Sequence, residues 1–144
     1  MIPRAPSRLT KLLPLVALLL AAACGDTIHG VKYAEPVVAQ FRALMKQRDF
    51  GKVYDFTGDE FRAATSRADG VALFEAVDRK LGALKSTKQV NWGVNTHNGT
   101  TMVTLIYATK YEQGDATETF IVAVDDGKGS LVGYNINSLA MMVR

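Results

Sequence analysis

The chain has 144 residues, of which 48% are hydrophobic and 22% are charged, and this composition suits a single globular domain. Its net charge of +3 lies in the first 23 residues, which hold three basic side chains and no acidic one. The remaining 121 residues, 24–144, carry 14 basic and 14 acidic side chains. Because they hold no basic stripe either, nucleic acid is not an expected partner.

The first 24 residues end in the only cysteine of the chain. Arg4, Arg8 and Lys11 precede an apolar run over residues 12–20, and three alanines then lead to Cys24. The run is too short to span a membrane as a helix. This arrangement resembles the signal of bacterial lipoproteins, in which the cysteine sulfur receives a lipid and the chain is cut just before it. The resemblance implies a signal peptide over residues 1–23 and an acylated Cys24.

The alternative is ordinary cleavage after the alanines, with a cysteine that has no role. Under the lipoprotein interpretation, residues 24–33 form a short polar tether and residues 34–144 form the domain. Gly25 stands where an Asp would resemble the signal for retention in the inner membrane. The resemblance therefore implies a lipid-anchored protein of the bacterial envelope, attached to the outer membrane and facing the periplasm.

The first half of the domain has helical periodicity. A helix is expected from about Glu35, with Pro36 in its first turn, where a missing N–H costs nothing. Its apolar face would hold Val37, Val38, Phe41, Leu44 and Met45. Asp49 is expected to cap a second helix, and capping boxes at Thr57 and Ser66 predict two more helices.

The second half alternates between apolar and polar residues. Four strands are predicted over residues 88–97, 101–112, 117–124 and 130–137. Asn98-Gly99 is a hairpin signal because both turn positions require a positive φ. The tail, residues 139–143, is expected to be a fifth strand or an edge extension. The sequence therefore predicts an α+β fold in which N-terminal helices pack on one face of a curved, cone-like antiparallel meander.

Three groups of motifs carry a resemblance over residues 34–137. They are Asp49-Phe50-Gly51-Lys52-Val53-Tyr54; Phe74 to Gly82 with Leu84-Lys85-Ser86; and Tyr107-x-x-x-Tyr111 with Glu118-x-Phe120 and Leu131-Val132-Gly133-Tyr134-x-Ile136. The segments resemble a family of small secreted bacterial proteins of unknown function. The order of elements is similar to that of the cystatin-like and nuclear-transport-factor-2-like folds. The resemblance implies a cone-shaped fold and implies no particular activity.

The polar residues predict neither a metal site nor a cofactor. The two histidines, His29 and His97, have no second ligand at metal-binding spacing. Five clustered carboxylates are expected to serve as caps or turn formers rather than as acids or bases. They are Asp55, Asp59, Glu60, Asp125 and Asp126.

Glu118 is the carboxylate with the greatest potential for chemistry, because it shares a strand face with Phe120 and Val122. It would lie either at the mouth of a pocket or at the rim, paired across strands with Lys110. Four aromatic side chains would either line that pocket or fill the core. They are Trp92, Tyr107, Tyr111 and Tyr134.

The sequence favours a non-catalytic binding or assembly module, whose partner is another envelope protein. Two alternatives are a carrier of a small apolar ligand and a cone-fold isomerase or hydratase with Glu118 or His97 as its base. A packed interior would favour the protein-binding module. An open pocket in which Glu118 is buried and its pKa is raised would favour the enzyme, and an open, uncharged pocket would favour the carrier.

Overall fold

The computed structural model describes residues 23–143. Four helices precede a four-stranded antiparallel sheet, and a short helix follows it, so the predicted α+β fold is confirmed. The helices are α1 (Ala23–Gln47), α2 (Phe50–Phe56), α3 (Asp59–Ala64), α4 (Arg67–Leu81) and α5 (Leu139–Val143). The strands, in spatial order, are β1 (Leu84–His97), β2 (Thr100–Tyr111), β3 (Gly114–Asp125) and β4 (Lys128–Asn137).

Helix α1 begins at Ala23, so the start predicted near Glu35 is wrong and Pro36 lies inside the helix. Residues 24–33, predicted to be a tether, are helical. The reason is tertiary packing, because Gly30 lies against the side chain of Val103 and Ala34 is fully buried. This packing outweighs the hydrogen bond that Pro36 removes.

The predicted signal peptide lies outside the described residues except for Ala23. None of the helices within residues 23–143 combines the length and the apolar character needed to cross a membrane.

Two of the three predicted helix caps are confirmed. The carboxylate of Asp49 accepts a hydrogen bond from the backbone N–H of Lys52 at 3.2 Å, and the hydroxyl of Ser66 accepts one from the N–H of Asp69 at 3.1 Å. The capping box at Thr57 is wrong, because its hydroxyl donates back to the Tyr54 carbonyl at 2.7 Å. Gly58 takes the N-cap position of α3 without a side-chain cap.

The strands form the predicted meander, with tight turns at both ends of the sheet. Asn98 and Gly99 have φ values of 50° and 81°, which confirms the two-residue hairpin between β1 and β2. Register shifts interrupt the pairing of β1 with β2 and of β3 with β4, and such bulges bend a sheet.

The expectation of a fifth strand is wrong, because the tail forms α5. There the Lys80 ammonium donates to the Met141 carbonyl at 2.6 Å.

The core lies between α1 and the inner face of the sheet, and aromatic rings fill its centre. The ring of Phe41 on α1 packs against those of Phe74, Phe120 and Tyr134 at centroid distances of 5.6, 5.3 and 4.9 Å. Such edge and tilted contacts add to the free energy gained by burial. The rings therefore fill the space that a cone-shaped cavity would have occupied.

Candidate functional site

A cavity of about 500 Å³ opens beside the packed core, where the ends of α1 and α4 meet the start of β1 and the hairpin between β2 and β3. This volume falls within the usual range for small-molecule sites. Its lining residues are Phe41, Arg42, Met45, Lys46, Arg48, Val77, Asp78, Gly82, Ala83, Leu84, Tyr111, Glu112 and Glu118.

Glu118 on β3 is the most deeply buried charged group of the site, with 1% of its surface exposed. Its Oε1 accepts hydrogen bonds from the hydroxyls of Tyr111 at 2.9 Å and Tyr134 at 2.8 Å. Its Oε2 accepts one from Nη2 of Arg42 at 3.1 Å, which also forms an ion pair. All three partners donate, so the carboxylate is held as an acceptor with a matched positive charge.

The two tyrosines stay protonated in this environment. Burial, together with the charge of Glu118, raises the pKa of Tyr134 and of Tyr111 well above the ordinary value for a phenol. Each hydroxyl therefore acts as a donor to the carboxylate and does not act as an acid near neutral pH.

Arg42 is the functional residue that sequence analysis misses, because it is not one of the residues predicted for the apolar face of α1. Its guanidinium lies over the ring of Tyr107, 4.9 Å from the centroid, while its buried Nη1 has no hydrogen-bond partner in the part of the chain that the structure describes. The ring compensates part of this cost. A signal exists in the sequence: Arg42 follows Val38 by four residues and precedes Met45 by three, which places it at the border of the apolar stripe.

The rim of the cavity is formed by backbone hydrogen bonds and by paired charges. The N–H of Glu112 donates to the Ala83 carbonyl at 3.0 Å, which joins the hairpin tip to the segment after α4. The carboxylate of Glu112 accepts from the Ala83 N–H and pairs with Lys85 at 3.1 Å, and these contacts lower its pKa. Arg48 pairs with Asp78 at 2.6 Å on the opposite side. The opening is thus bordered by paired charges.

The residues predicted to line a pocket lie in different parts of the structure. Glu118 lines the cavity, but Tyr134 and Tyr107 support it from the core. Trp92 does not line it, because it lies on the edge strand β1, 47% exposed, where the helices give little cover. The alternative pairing of Glu118 with Lys110 is wrong, since Lys110 lies opposite Asp115 in the register.

His97 and the clustered carboxylates weighed as candidate catalytic or metal-binding residues do not line the cavity. His97 is exposed at the end of β1, where it pairs with Thr100 of β2, whereas Glu118 pairs with Tyr107 of the same strand. At about 3.4 Å per residue of β2, the two side chains lie about 24 Å apart along the sheet. Asp55 pairs with Arg67, which lowers the pKa of Asp55, and Asp59 pairs with Arg62. The side chain of His29 is outside the described part of the structure.

Among the side chains that the structure describes, those of residues 30–143, no cluster of three or more from His, Cys, Asp or Glu could hold a metal ion. The site is thus a cavity with an apolar wall, a buried and neutralised carboxylate, and a charged rim. Comparison with known proteins adds no assignment: no protein-family model matches the chain, and no curated protein matches it significantly.

Proposed function

We propose that this protein is a non-catalytic binding domain of the bacterial envelope, anchored by lipid on Cys24, which takes a small ligand into the cavity between α1, α4 and the β2–β3 hairpin. The observation that carries the proposal is the cavity itself, which lies beside a core that is otherwise filled by aromatic rings. The order of helices and sheet agrees with the resemblance to cystatin-like and nuclear-transport-factor-2-like folds, which belongs to the same proposal.

The apolar part of the cavity wall supports binding of a ligand with an apolar body. Phe41 and Val77 form its buried portion, while Met45 and Leu84 remain partly accessible. Covering about 100 Å² of such surface contributes roughly 2.5 kcal/mol, at about 25 cal/mol per Å². This gain accounts for modest affinity without a further specific contact.

The hydrogen bonds of Glu118 argue against catalysis. A general base needs a lone pair directed at the substrate, and three donors already take up three of the roughly four acceptor sites of this carboxylate. We therefore assign Glu118 to shaping the floor of the cavity.

Blocking the cavity should abolish ligand binding. Leu84 lies on the cavity wall at the start of β1 and is 37% exposed, so a Leu84→Trp protein should fold while its indole fills the opening. We expect saturable binding of 1-octanol to the purified protein, followed by backbone amide shifts near Met45 and Tyr111, and at least tenfold weaker binding to Leu84→Trp. Val90→Trp is the matched control, because Val90 is on the same strand, 53% exposed and outside the cavity. Equal loss in both variants, or no saturable binding to the wild type, would refute the proposed site.

Membrane attachment should depend on Cys24. A Cys24→Ser protein should lose acyl modification and move from the membrane to the soluble fraction, because a lipid chain gains about 0.8 kcal/mol per buried CH₂. Thr27→Ser is the control and should stay with outer-membrane markers on a density gradient. An unmodified cysteine in the mass spectrum of the membrane-bound protein would exclude the anchor.

A further inference from the structure

One charged side chain on the cavity wall has no counter-ion among the described residues. Six charged side chains line the cavity, namely Arg42, Lys46, Arg48, Asp78, Glu112 and Glu118. Within the described chain, five of these form ion pairs. Arg42 pairs with Glu118, and Arg48 pairs with Asp78. Glu112 pairs with Lys85, which does not line the cavity. The ammonium of Lys46 has no ion-pair partner among the described side chains, those of residues 30–143.

We propose that the cavity selects an anionic amphiphile, a monocarboxylate with an apolar body of about eight carbons, whose acid group pairs with Lys46. This inference rests on the proposed function, because it names the class of ligand that the same cavity would take. Lys46 is exposed in the last turn of α1, so its head group is accessible at the opening. The negative end of the helix attracts this cation only weakly and leaves its three donors open to a carboxylate.

The charges around Lys46 favour an anion over a cation. Glu118 would attract a cationic ligand, but it is already neutralised by Arg42 and bound by two hydroxyls. Glu112 is held by Lys85 and by the Ala83 N–H. A cationic ligand would therefore have to break an existing pair, whereas an anionic ligand adds one.

The volume and the wall can accommodate the apolar body. The cavity has a volume of about 500 Å³. A monocarboxylate of eight carbons fits within this space. Met45, Val77 and Leu84 provide the apolar wall against which the chain would pack.

The test compares three probes with eight carbons each, sodium octanoate, 1-octanol and octylammonium, in calorimetric titrations of the purified protein. We expect octanoate to bind more tightly than octanol and octylammonium more weakly. Lys46→Gln should weaken octanoate binding by about three- to fivefold, the size of an exposed ion pair, and leave octanol unchanged. High salt should reduce the advantage of octanoate in the wild type.

Lys128→Gln is the matched control, because Lys128 is an exposed lysine at the start of β4, outside the cavity. Equal effects of the two lysine variants, equal binding of octanoate and octanol, or a preference for octylammonium would overturn the inference and leave the proposed function standing. If none of the three probes binds saturably, the proposed function fails, and the inference fails with it.

Discussion

Replacing Glu118 with alanine is expected to lower the free energy of unfolding by about 3–5 kcal/mol, as removal of one partner from a buried ion pair typically does. The substitution leaves the Arg42 guanidinium without its counter-ion, at a site where its Nη1 already lacks a hydrogen-bond acceptor. It also deprives the hydroxyls of Tyr111 and Tyr134 of their common acceptor. Urea unfolding at neutral pH, followed by circular dichroism, measures the change.

Two further variants identify the source of this loss. Asp78→Asn breaks an ion pair at the rim of the same cavity, and it should cost less than about 1 kcal/mol, because the partner Arg48 is 71% exposed. Combining Glu118→Ala with Arg42→Met removes the unpaired cation and should recover part of the stability. A Glu118→Ala protein as stable as Asp78→Asn would show that the buried pair does not support the fold.

Replacing Gly129 with alanine should destabilise the protein by about 2–3 kcal/mol, near the upper end of the usual cost of overpacking. A Cβ at this position would lie 2.6 Å from the backbone oxygen of Tyr33 and 2.7 Å from Cγ2 of Val37. Both atoms belong to α1, which crosses β4 at this point, so the helix would have to move away from the sheet. Thermal or urea unfolding of the variant gives the change in free energy.

Gly93→Ala provides the matched control on the opposite edge of the sheet. No atom lies within 4 Å of a Cβ built there, so the stability should stay within about 0.5 kcal/mol of the wild type. If both glycine variants show the same stability, the close approach of α1 to β4 is not a constraint on the fold.

The strands and most helices are predictable because local patterns determine them. Alternation of apolar and polar residues identifies the strands, and Asn98-Gly99 fixes the first hairpin through its positive φ angles. The start of α1 is not predictable in this way. Gly30 and Pro36 both disfavour a helix locally, and only packing of Gly30 and Ala34 against the sheet makes this segment helical.

The candidate site is only partly predictable, for a related reason. Glu118 stands out as a carboxylate among apolar residues of a strand, and the tyrosines are visible as inward-facing aromatics. Its cationic partner lies 76 residues away on α1, so no local spacing connects the two. The exposure of Trp92 is not predictable from the sequence. Alternation shows on which face of a strand a residue lies, but it does not show how far the helices cover that face.

The continuity of α1 has a consequence for how the cavity would meet its surroundings. At about 1.5 Å per residue, the 18 residues from Cys24 to Arg42 span about 27 Å of one helix. With lipid on Cys24 and α1 upright on the bilayer, the helix would hold the binding site at about that distance from the bilayer surface. In that orientation the opening would exchange its ligand with the aqueous phase, or with a partner that docks from that side, and not directly with the acyl chains of the membrane.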